Sequence, residues 1–278
     1  GMSKKDNTFH SILCSPLEHP AIREPFQKQL NINEFNGFCD VDKNGIIKLE
    51  SLPKSDYLIT HHVQSEIGLI QPIKEIKERV KFLFCDMSQS LGKIPVNVTQ
   101  LDVDIAVFGA HKFGGWGGVG FMYLKDPQYW IPFGTGSRYF TDRTGTPDVA
   151  SIAATAEALK ESIDNFKERD NNCKEFKEIL ELGLKERNWE IIGENAPRSN
   201  NTTFCRLPSQ AVIKLMALSD KGIYCGLGSA CGSHSSGLSP SLKSLGFEGV
   251  AHDFMRISQW GNYNGKDAKY FLEILDKC

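Results

Sequence analysis

Short apolar segments alternate with helical segments over the first two-thirds of the chain. The apolar runs predict strands at Phe9 to Ser15, Tyr57 to Val63, Lys81 to Cys85, Ile105 to Phe108 and Gly118 to Leu124. The intervening patterns predict helices at Pro20 to Leu30 and Pro72 to Val80. Strands separated by helices favour a mainly parallel α/β sheet. In such a sheet, ligands bind outside the carboxyl ends of the strands.

The pattern becomes helical from Ser151 to Arg187, with Ser151 as the expected N-cap. One face of this helical segment is apolar and carries Ile152, Ala156, Leu159 and Ile163. We therefore interpret residues 151–187 as a long helical connection between two domains.

Strands and helices are mixed after this connection, which indicates a smaller α+β domain. The predicted strands are Asn201 to Leu207 and Phe254 to Ser258, and the predicted helices are Ser209 to Lys221 and Asp267 to Leu275. The expected organisation is a large domain at 9–150, the connecting helical region at 151–187, and a small C-terminal domain at 188–278.

Composition excludes several classes of function. A chain of 278 residues buries one large core or two unequal ones, and its net charge of -2 gives no reason to expect a nucleic-acid partner. No apolar run reaches the length of a membrane span, and the N-terminus lacks the apolar core of a signal peptide. The eight cysteines include no C-x-x-C pair, so we expect reduced thiols in the cytoplasm and no metal site.

Lys112 is the strongest candidate for chemistry in the sequence. It follows the apolar run that ends at Phe108, and a glycine-dense loop follows it as far as Gly120. A lysine at the end of a buried strand, with glycines that let a planar ligand approach, is a candidate Schiff-base lysine. The loop is not a nucleotide-binding P-loop, because the lysine precedes the glycines. Lys112 therefore raises the hypothesis of a pyridoxal phosphate (PLP) enzyme.

Asp86 and Gln89 offer groups that PLP requires. The pyridine nitrogen of PLP needs a carboxylate to remain protonated, and Asp86 directly follows the apolar run Phe82 to Cys85. The alternative is an aspartate that caps the next turn. Gln89 lies three residues further on and has an amide that suits the ring hydroxyl. By itself this glutamine is uninformative.

Two histidines have both a functional and a structural interpretation. His19 lies at a predicted helix start, where it either stacks on a cofactor ring or serves as a surface or capping residue. His111 precedes Lys112 and either contacts a phosphate or only packs.

Cys231 and Arg256 are candidates for reaction with a substrate. Cys231 lies among small residues between Gly226 and Gly237, which predicts an accessible thiol on a mobile loop. Such a thiol is either a nucleophile or a residue with no part in the reaction. His234 is close enough in sequence to help deprotonate it. Arg256 lies inside an apolar strand, where it needs either a substrate carboxylate or an internal salt bridge.

The order of these residues along the chain is more specific than any one of them. The ordered blocks are Ser15 to Ala21, Glu66 to Gly68 with Gln71 to Ile73, Asp86 to Pro95, His111-Lys112, Arg143 to Thr146, Gly228 to Cys231, and Met255 to Ser258. This set resembles the cysteine desulfurase branch of the class V aminotransferases, which are fold-type I PLP enzymes. The resemblance extends from about Phe9 to the C-terminus.

The resemblance implies a role for each matched residue. Lys112 would form the Schiff base and move the substrate Cα proton, and Cys231 would attack the substrate sulfur, leaving a persulfide and alanine. The cofactor contacts would be Asp86 at the pyridine nitrogen, Gln89 at the ring hydroxyl, His19 on the ring face, and His111 and Thr146 at the phosphate. Arg256 would bind the substrate carboxylate, with Ser65 nearby. Thr146 would reach the neighbouring subunit's site, which implies a homodimer. The resemblance also implies a sulfur-acceptor protein as a partner.

The chain also departs from the pattern of the family. The family has a further segment before the strand at Phe9, with a loop that holds the PLP phosphate and one strand of the large sheet. Gly109 stands where the family has a serine, and Ser65 stands where it has an asparagine. We therefore expect weakened PLP binding and a large sheet with an edge that is open or covered by a partner chain.

Three functions remain open from the sequence. The first is a PLP-dependent cysteine desulfurase that acts on L-cysteine. The second is a related enzyme of the same family, such as a selenocysteine lyase or an aminotransferase. The third is a truncated protein of this fold with weak or no PLP binding and no catalysis.

Overall fold

A six-stranded sheet organises the first half of the chain in the computed structural model. The structure describes residues 11–30, 36–52, 57–129, 145–207, 211–227, 237–249 and 253–277. The strands are β1 (Ile12–Cys14), β2 (Asn36–Phe38), β3 (Tyr57–His61), β4 (Phe82–Asp86), β5 (Ile105–Gly109) and β6 (Gly120–Leu124). Their order in the sheet is β2-β1-β3-β4-β5-β6.

This large sheet is mostly parallel, as the alternation of strands and helices predicted. Strands β2, β1, β3, β4 and β5 pair in parallel, and only β6 runs antiparallel to its neighbour β5. Asp86 lies opposite His61 of β3 and Val107 of β5. The carboxyl ends of β3, β4 and β5 therefore meet at one rim of the sheet.

Two helices lie between the strands of the large sheet. The first, α1 (Pro20–Leu30), has the bounds that the sequence predicted, with proline in its first turn. The second, α2 (Ile73–Lys77), is shorter than predicted and buries Ile73 and Ile76. These two isoleucines join an apolar cluster with strand residues such as Leu58 and Leu83, and this cluster fixes the sheet against its helical layer.

The helical region after the large sheet consists of two helices rather than one. They are α3 (Val149–Asp164) and α4 (Phe166–Glu186), and they meet at Asn165. The predicted N-cap, Ser151, is wrong, because the Asp148 carboxylate accepts the hydrogen bond of the Ser151 N–H and caps α3. Aspartate is an equally good capping residue, so a helix start in this sequence was ambiguous by a few residues.

The apolar face of α3 forms an open groove with the edge of the large sheet. Phe121 of β6 faces Ile152, Ala156 and Leu159 across this groove. Ile152 remains 47% exposed, and within the described residues β6 pairs with β5 alone. Within the described residues, β6 is therefore one edge strand of the large sheet, and β2 is the other.

A second, smaller sheet organises the rest of the chain and confirms the predicted α+β character. Its strands are β7 (Glu190–Ile191), β8 (Thr202–Arg206), β9 (Gly226–Leu227) and β10 (Phe254–Ser258), in the antiparallel order β7-β8-β10-β9. The accompanying helices are α5 (Ala211–Asp220), α6 (Pro240–Ser244) and α7 (Gly265–Asp276). Helix α4 packs on α7, and their core includes Leu180, Leu184, Phe271 and Leu275.

Contacts between the two sheets place β10 near the rim of the large sheet. The Ser199 N–H donates to the Gly68 carbonyl at 2.9 Å, and the Ile70 N–H donates to the Pro197 carbonyl at 2.8 Å. The Arg169 side chain of α4 donates twice to the Gly92 carbonyl, at 3.2 and 3.0 Å. Within the described residues, no helix has both the length and the apolarity that a membrane crossing requires.

Candidate active site

The candidate active site lies where the parallel strands of the large sheet end. Asp86 is the last residue of β4, and Lys112 ends a short 3₁₀ turn that directly follows β5. The Met87 N–H donates to the Val107 carbonyl at 2.9 Å and fixes the end of β4 against β5. The structure therefore brings the segments of Asp86 and Lys112 together on one rim.

Asp86 makes the turn-capping contact that was its structural alternative. Its Oδ1 accepts the Ser88 N–H at 2.8 Å, which fixes the direction of the carboxylate at the strand end. The side chain is half-buried, and Oδ2 is left to accept from another donor. A carboxylate oriented in this way is suited to pair with a protonated ring nitrogen.

Lys112 is half-buried between a packed residue and an open loop. The neighbouring Phe113 is 2% exposed and anchors the turn in the core. The Ala110 carbonyl accepts the N–H groups of Phe113 and Gly115, at 3.1 and 2.9 Å. Beyond it, Gly114 takes a φ of +101°, and a Cβ there would meet only open space. The loop is therefore open at Gly114, two residues after Lys112.

Gln89 has a partner that sequence reasoning missed. The Lys93 Nζ donates a hydrogen bond to the Gln89 Oε1, and Lys93 is only 9% exposed. A buried lysine is unusual because desolvation disfavours its charge. Its position one helical turn after Gln89, between Leu91 and Ile94, was the available sequence signal.

Positive charge accumulates at this rim. Burial, together with the charges of Lys112 and Arg256, lowers the pKa of Lys93 to about 7, and the Asp86 charge opposes this shift. Burial and the charges of Lys112 and Lys93 also lower the pKa of His111. The site therefore combines several basic groups with the Asp86 carboxylate, which suits an anionic ligand with a protonated ring nitrogen.

Replacing Lys93 with methionine is expected to change how stability depends on pH. Folding lowers the pKa of this lysine from the ordinary value of about 10.4 to about 7, so the unfolded chain binds more protons between these values. The lysine contribution to stability therefore rises with pH in this window, by up to ~1.4 kcal/mol per pH unit. Below pH 7 the lysine is protonated in both the folded and the unfolded chain, and burying it there lowers the free energy of unfolding by the full amount.

Urea unfolding of the PLP-free protein at several pH values measures this effect. The free energy of unfolding of the wild type minus that of Lys93→Met should be nearly constant below pH 6 and should rise between pH 7 and 10. The exposed Lys74 on α2 provides the control, since Lys74→Met removes a lysine from the surface rather than from the buried rim. A difference for Lys93→Met that does not rise between pH 7 and 10 would contradict the lowered pKa.

His19 caps α1, which was the structural alternative to ring stacking. Its Nδ1 accepts the Ala21 N–H at 3.2 Å, and its own N–H donates to the Glu18 Oε2 at 3.1 Å. The buried Glu18 in turn lies 3.4 Å from His61 Nδ1 at the end of β3. Because Nδ1 accepts, the proton of a neutral His19 ring lies on Nε2. The stacking role of this ring stays a prediction.

Arg256 reaches across from the second sheet to the rim. Its Nη1 donates to the Ser65 carbonyl at 3.3 Å, over a sequence separation of 191 residues. Among the described residues no carboxylate lies within 4.0 Å of it, so the predicted alternative of an internal salt bridge is not observed there. Burial raises the pKa of the neighbouring Glu66, while its bond to Ser239 and the charge of Arg256 oppose this rise. The structure thus brings Arg256 and Ser65 together.

The remaining predicted residues are not gathered at this rim in one chain. Thr146 is exposed, and among the described residues it makes no hydrogen bond to the rim residues. Cys231 and His234 lie outside the described residues. The six described cysteines are Cys14, Cys39, Cys85, Cys173, Cys205 and Cys225. Burial raises the pKa of each of these six thiols.

Known proteins resemble this chain in sequence and in fold. The family model of the aminotransferase class-V proteins matches residues 3–268. The cysteine desulfurase IscS of Dictyoglomus turgidum is 30% identical over 286 residues, which cover 96% of this chain and 71% of the relative. IscS of Clostridium botulinum is 30% identical over 289 residues, with the same coverage of 96% and 71%.

Solved structures agree with the sequence relatives. A NifS-like protein superposes with a TM-score of 0.85 at 26% identity, covering 98% of this chain and 75% of that protein. The NifS-like protein of Rickettsia africae gives a TM-score of 0.80 at 26% identity, covering 96% and 75%. The chain therefore spans about three-quarters of the length of these solved relatives.

The fold, the rim residues and the family match together define the class of this protein. The chain belongs to the aminotransferase class-V family, whose members are PLP-dependent enzymes of fold-type I. Within this family it falls in the cysteine desulfurase branch. The resemblance in the sequence is thereby confirmed, and PLP is the cofactor that the family uses.

The residues present fit PLP by the chemistry of their donors. A half-buried lysine, a carboxylate fixed by a turn, and a surplus of positive charge match an aldehyde, a ring nitrogen and a phosphate. Gly109 contributes no hydroxyl, and a Cβ at that position would lie 3.4 Å from the His111 ring. The Ser88 hydroxyl would lie 3.7 Å from the same Cβ, so His111 and Ser88 are the polar side chains next to this part of the rim.

Proposed function

We propose that this protein is a PLP-dependent cysteine desulfurase that takes sulfur from L-cysteine as a persulfide on Cys231 and releases alanine. The observation that carries the proposal is the position of Lys112 and Asp86 at the carboxyl ends of adjacent strands. Arg256 faces the same rim from the second sheet. The similarity to IscS proteins supports cysteine as the substrate.

Each rim residue has a task that its contacts support. Lys112 would attach the cofactor covalently and move a proton at the substrate Cα. Asp86, fixed by the Ser88 N–H, would keep the ring nitrogen protonated, and Gln89 would donate its amide N–H to the ring hydroxyl. Bound PLP supplies an electron sink for the substrate Cα. His19 would cover the ring face, and His111 would contact the phosphate.

Arg256 is suited to select an amino acid by its carboxylate. One of its nitrogens is used by the Ser65 carbonyl, and the remaining donors of the guanidinium fork suit a carboxylate in bidentate geometry. The contact with Ser65 also fixes the direction of the long side chain, which lowers the entropy lost on binding. Ser65 would thus help to bind substrate through its main chain.

Cys231 would act as the sulfur acceptor by nucleophilic displacement. Its thiolate forms an S–S bond with the cysteine sulfur, the substrate Cβ–S bond breaks, and Cβ takes up a proton to give alanine. The reaction needs no external oxidant, because one thiol and L-cysteine give one persulfide and L-alanine. Among the described cysteines, burial raises every thiol pKa, which disfavours their thiolate forms at neutral pH.

Further partners follow from the same proposal. Thr146 is exposed on this chain and would contact the phosphate in a neighbouring subunit, so we expect a homodimer. A sulfur-acceptor protein would remove the persulfide sulfur. We expect the protein to work in the cytoplasm, where thiols stay reduced.

A product assay tests the proposed function directly. The wild type, incubated with PLP, L-cysteine and an excess of thiol reductant, should release alanine and sulfide in equal amounts. If the PLP absorbance band forms but no alanine is released, the protein keeps the fold and the cofactor but does not catalyse the reaction. Alanine from selenocysteine alone would indicate a selenocysteine lyase, and amino-group transfer to a keto acid would indicate an aminotransferase.

A further inference from the structure

Lys93 is a buried lysine that the proposed reaction does not use. It lies at the candidate site, in the turn-rich segment that runs from Met87 to Ile94 after β4. Its side chain is close enough to Lys112, Arg256 and Asp86 for their charges to act on it. Burying an amine beside two other cations is unfavourable, and groups placed in this way cluster at functional sites.

The turn that carries Lys93 is held in place from both sides. Within the turn, the Ser90 N–H donates to the Met87 carbonyl at 2.9 Å, and the Lys93 N–H donates to the Ser90 carbonyl at 3.0 Å. From outside, Arg169 of α4 donates to the Gly92 carbonyl and stacks over the Trp260 ring, 4.5 Å from its centroid. The backbone positions of Gln89 and Lys93 are therefore fixed relative to the rim.

The chemistry of the two side chains determines which end of the amide faces the lysine. In its protonated form Lys93 has three donors and no acceptor, so its partner on the amide must then be the oxygen. The Lys93 Nζ indeed donates to the Gln89 Oε1. The amide nitrogen, Nε2, is then the end of Gln89 that is available to donate to another group.

We propose that Lys93 is a positioning residue that fixes the orientation of the Gln89 amide, so that its N–H faces an acceptor oxygen of the cofactor ring. The inference rests on the proposed function, since it assumes that PLP binds at this rim. A glutamine without this contact exposes its oxygen or its nitrogen with similar ease. Two oxygens facing each other would repel, so the wrong orientation would weaken cofactor binding.

Substitutions at the two positions separate positioning from a purely structural role. Lys93→Met removes the donor at similar length, and Gln89→Leu removes the amide. Gln89→Leu should weaken PLP binding about tenfold, and Lys93→Met should weaken it by a smaller factor of about two, because half of the freed amides still present their N–H. The double variant should bind no more weakly than Gln89→Leu alone, because Lys93 acts only through the amide. Absorbance titration of the PLP-free protein measures these affinities, independently of catalysis.

Gln89→Glu is the variant that best separates the positioning role from a structural role. Its carboxylate accepts from Lys93 as well as the amide oxygen does, so resistance to urea should be kept. It has no N–H to present to the cofactor, so its PLP affinity should fall about tenfold like that of Gln89→Leu. A structural role alone would predict unchanged PLP affinity in this variant.

The outcomes distinguish this inference from the proposed function. Additive effects of Lys93→Met and Gln89→Leu on PLP affinity, or full affinity in Gln89→Glu, would overturn the positioning role while leaving PLP binding intact. A wild type that shows no PLP band at saturating cofactor would refute the proposed function and this inference together. Non-additive losses with stable folding would support it.

Discussion

Lys112→Ala is expected to abolish the visible absorbance band that PLP acquires on covalent attachment to the protein. The amine of this residue stands beside an open glycine loop and on the rim that carries Asp86. Since we assign both the covalent attachment and the proton transfer to this amine, sulfur release should also fall, by about 10²–10⁴-fold. An absorbance scan after PLP addition, followed by a sulfide assay, measures both effects.

A second lysine provides the control for this prediction. Lys125 lies just beyond β6, where it pairs with the exposed Asp102 at 2.6 Å. Exposed ion pairs contribute little to stability, so Lys125→Ala should keep both the band and the activity. If the band survives in Lys112→Ala, another lysine attaches the cofactor, and the buried Lys93 would be the first to examine.

The rim could be predicted from the sequence because it depends on local patterns. Apolar runs gave the strands β3, β4 and β5, and parallel pairing then forces their carboxyl ends to one side. Asp86 and Lys112 follow directly from those strand ends. The bounds of α1 and β10 were also predicted to the residue, since each has a clear pattern and flanking breaks.

Contacts between distant segments could not be predicted in this way. The bond from Arg256 to Ser65 depends on how the second sheet docks, and no local pattern encodes it. The two-residue strands β7 and β9 are too short to show any alternation and were missed. The pair of Lys93 and Gln89 needs a turn geometry that the sequence alone does not determine.

For the apolar face of α3, the sequence pattern predicted only part of what the structure shows. Ile152, Ala156 and Leu159 were predicted to share a face, and they do line one groove. Periodicity predicts which residues lie on the same side of a helix, but it does not identify what covers them. Among the described residues, the face lies beside β6, which is an edge strand of the large sheet.

Cys231→Ser is expected to eliminate sulfur transfer while leaving the PLP band unchanged. The hydroxyl of serine has nearly the same size as a thiol but ionises far less readily, so it does not displace sulfur from cysteine. The residue has no predicted contact with the cofactor, which is why the band should persist. Measuring alanine, sulfide and the band on the same sample separates loss of chemistry from loss of cofactor.

Cys225 makes this experiment specific to one thiol. It lies six residues earlier in the chain, is half-buried against the core of the second sheet, and burial raises its pKa to about 12. Cys225→Ala should therefore retain sulfur transfer, because its thiol contributes almost no thiolate at neutral pH. Alanine formation that continues in Cys231→Ser would mean that sulfur leaves the substrate without a persulfide on this residue, as in a lyase reaction. If Cys225→Ala loses activity while Cys231→Ser keeps it, Cys225 would be the nucleophile instead.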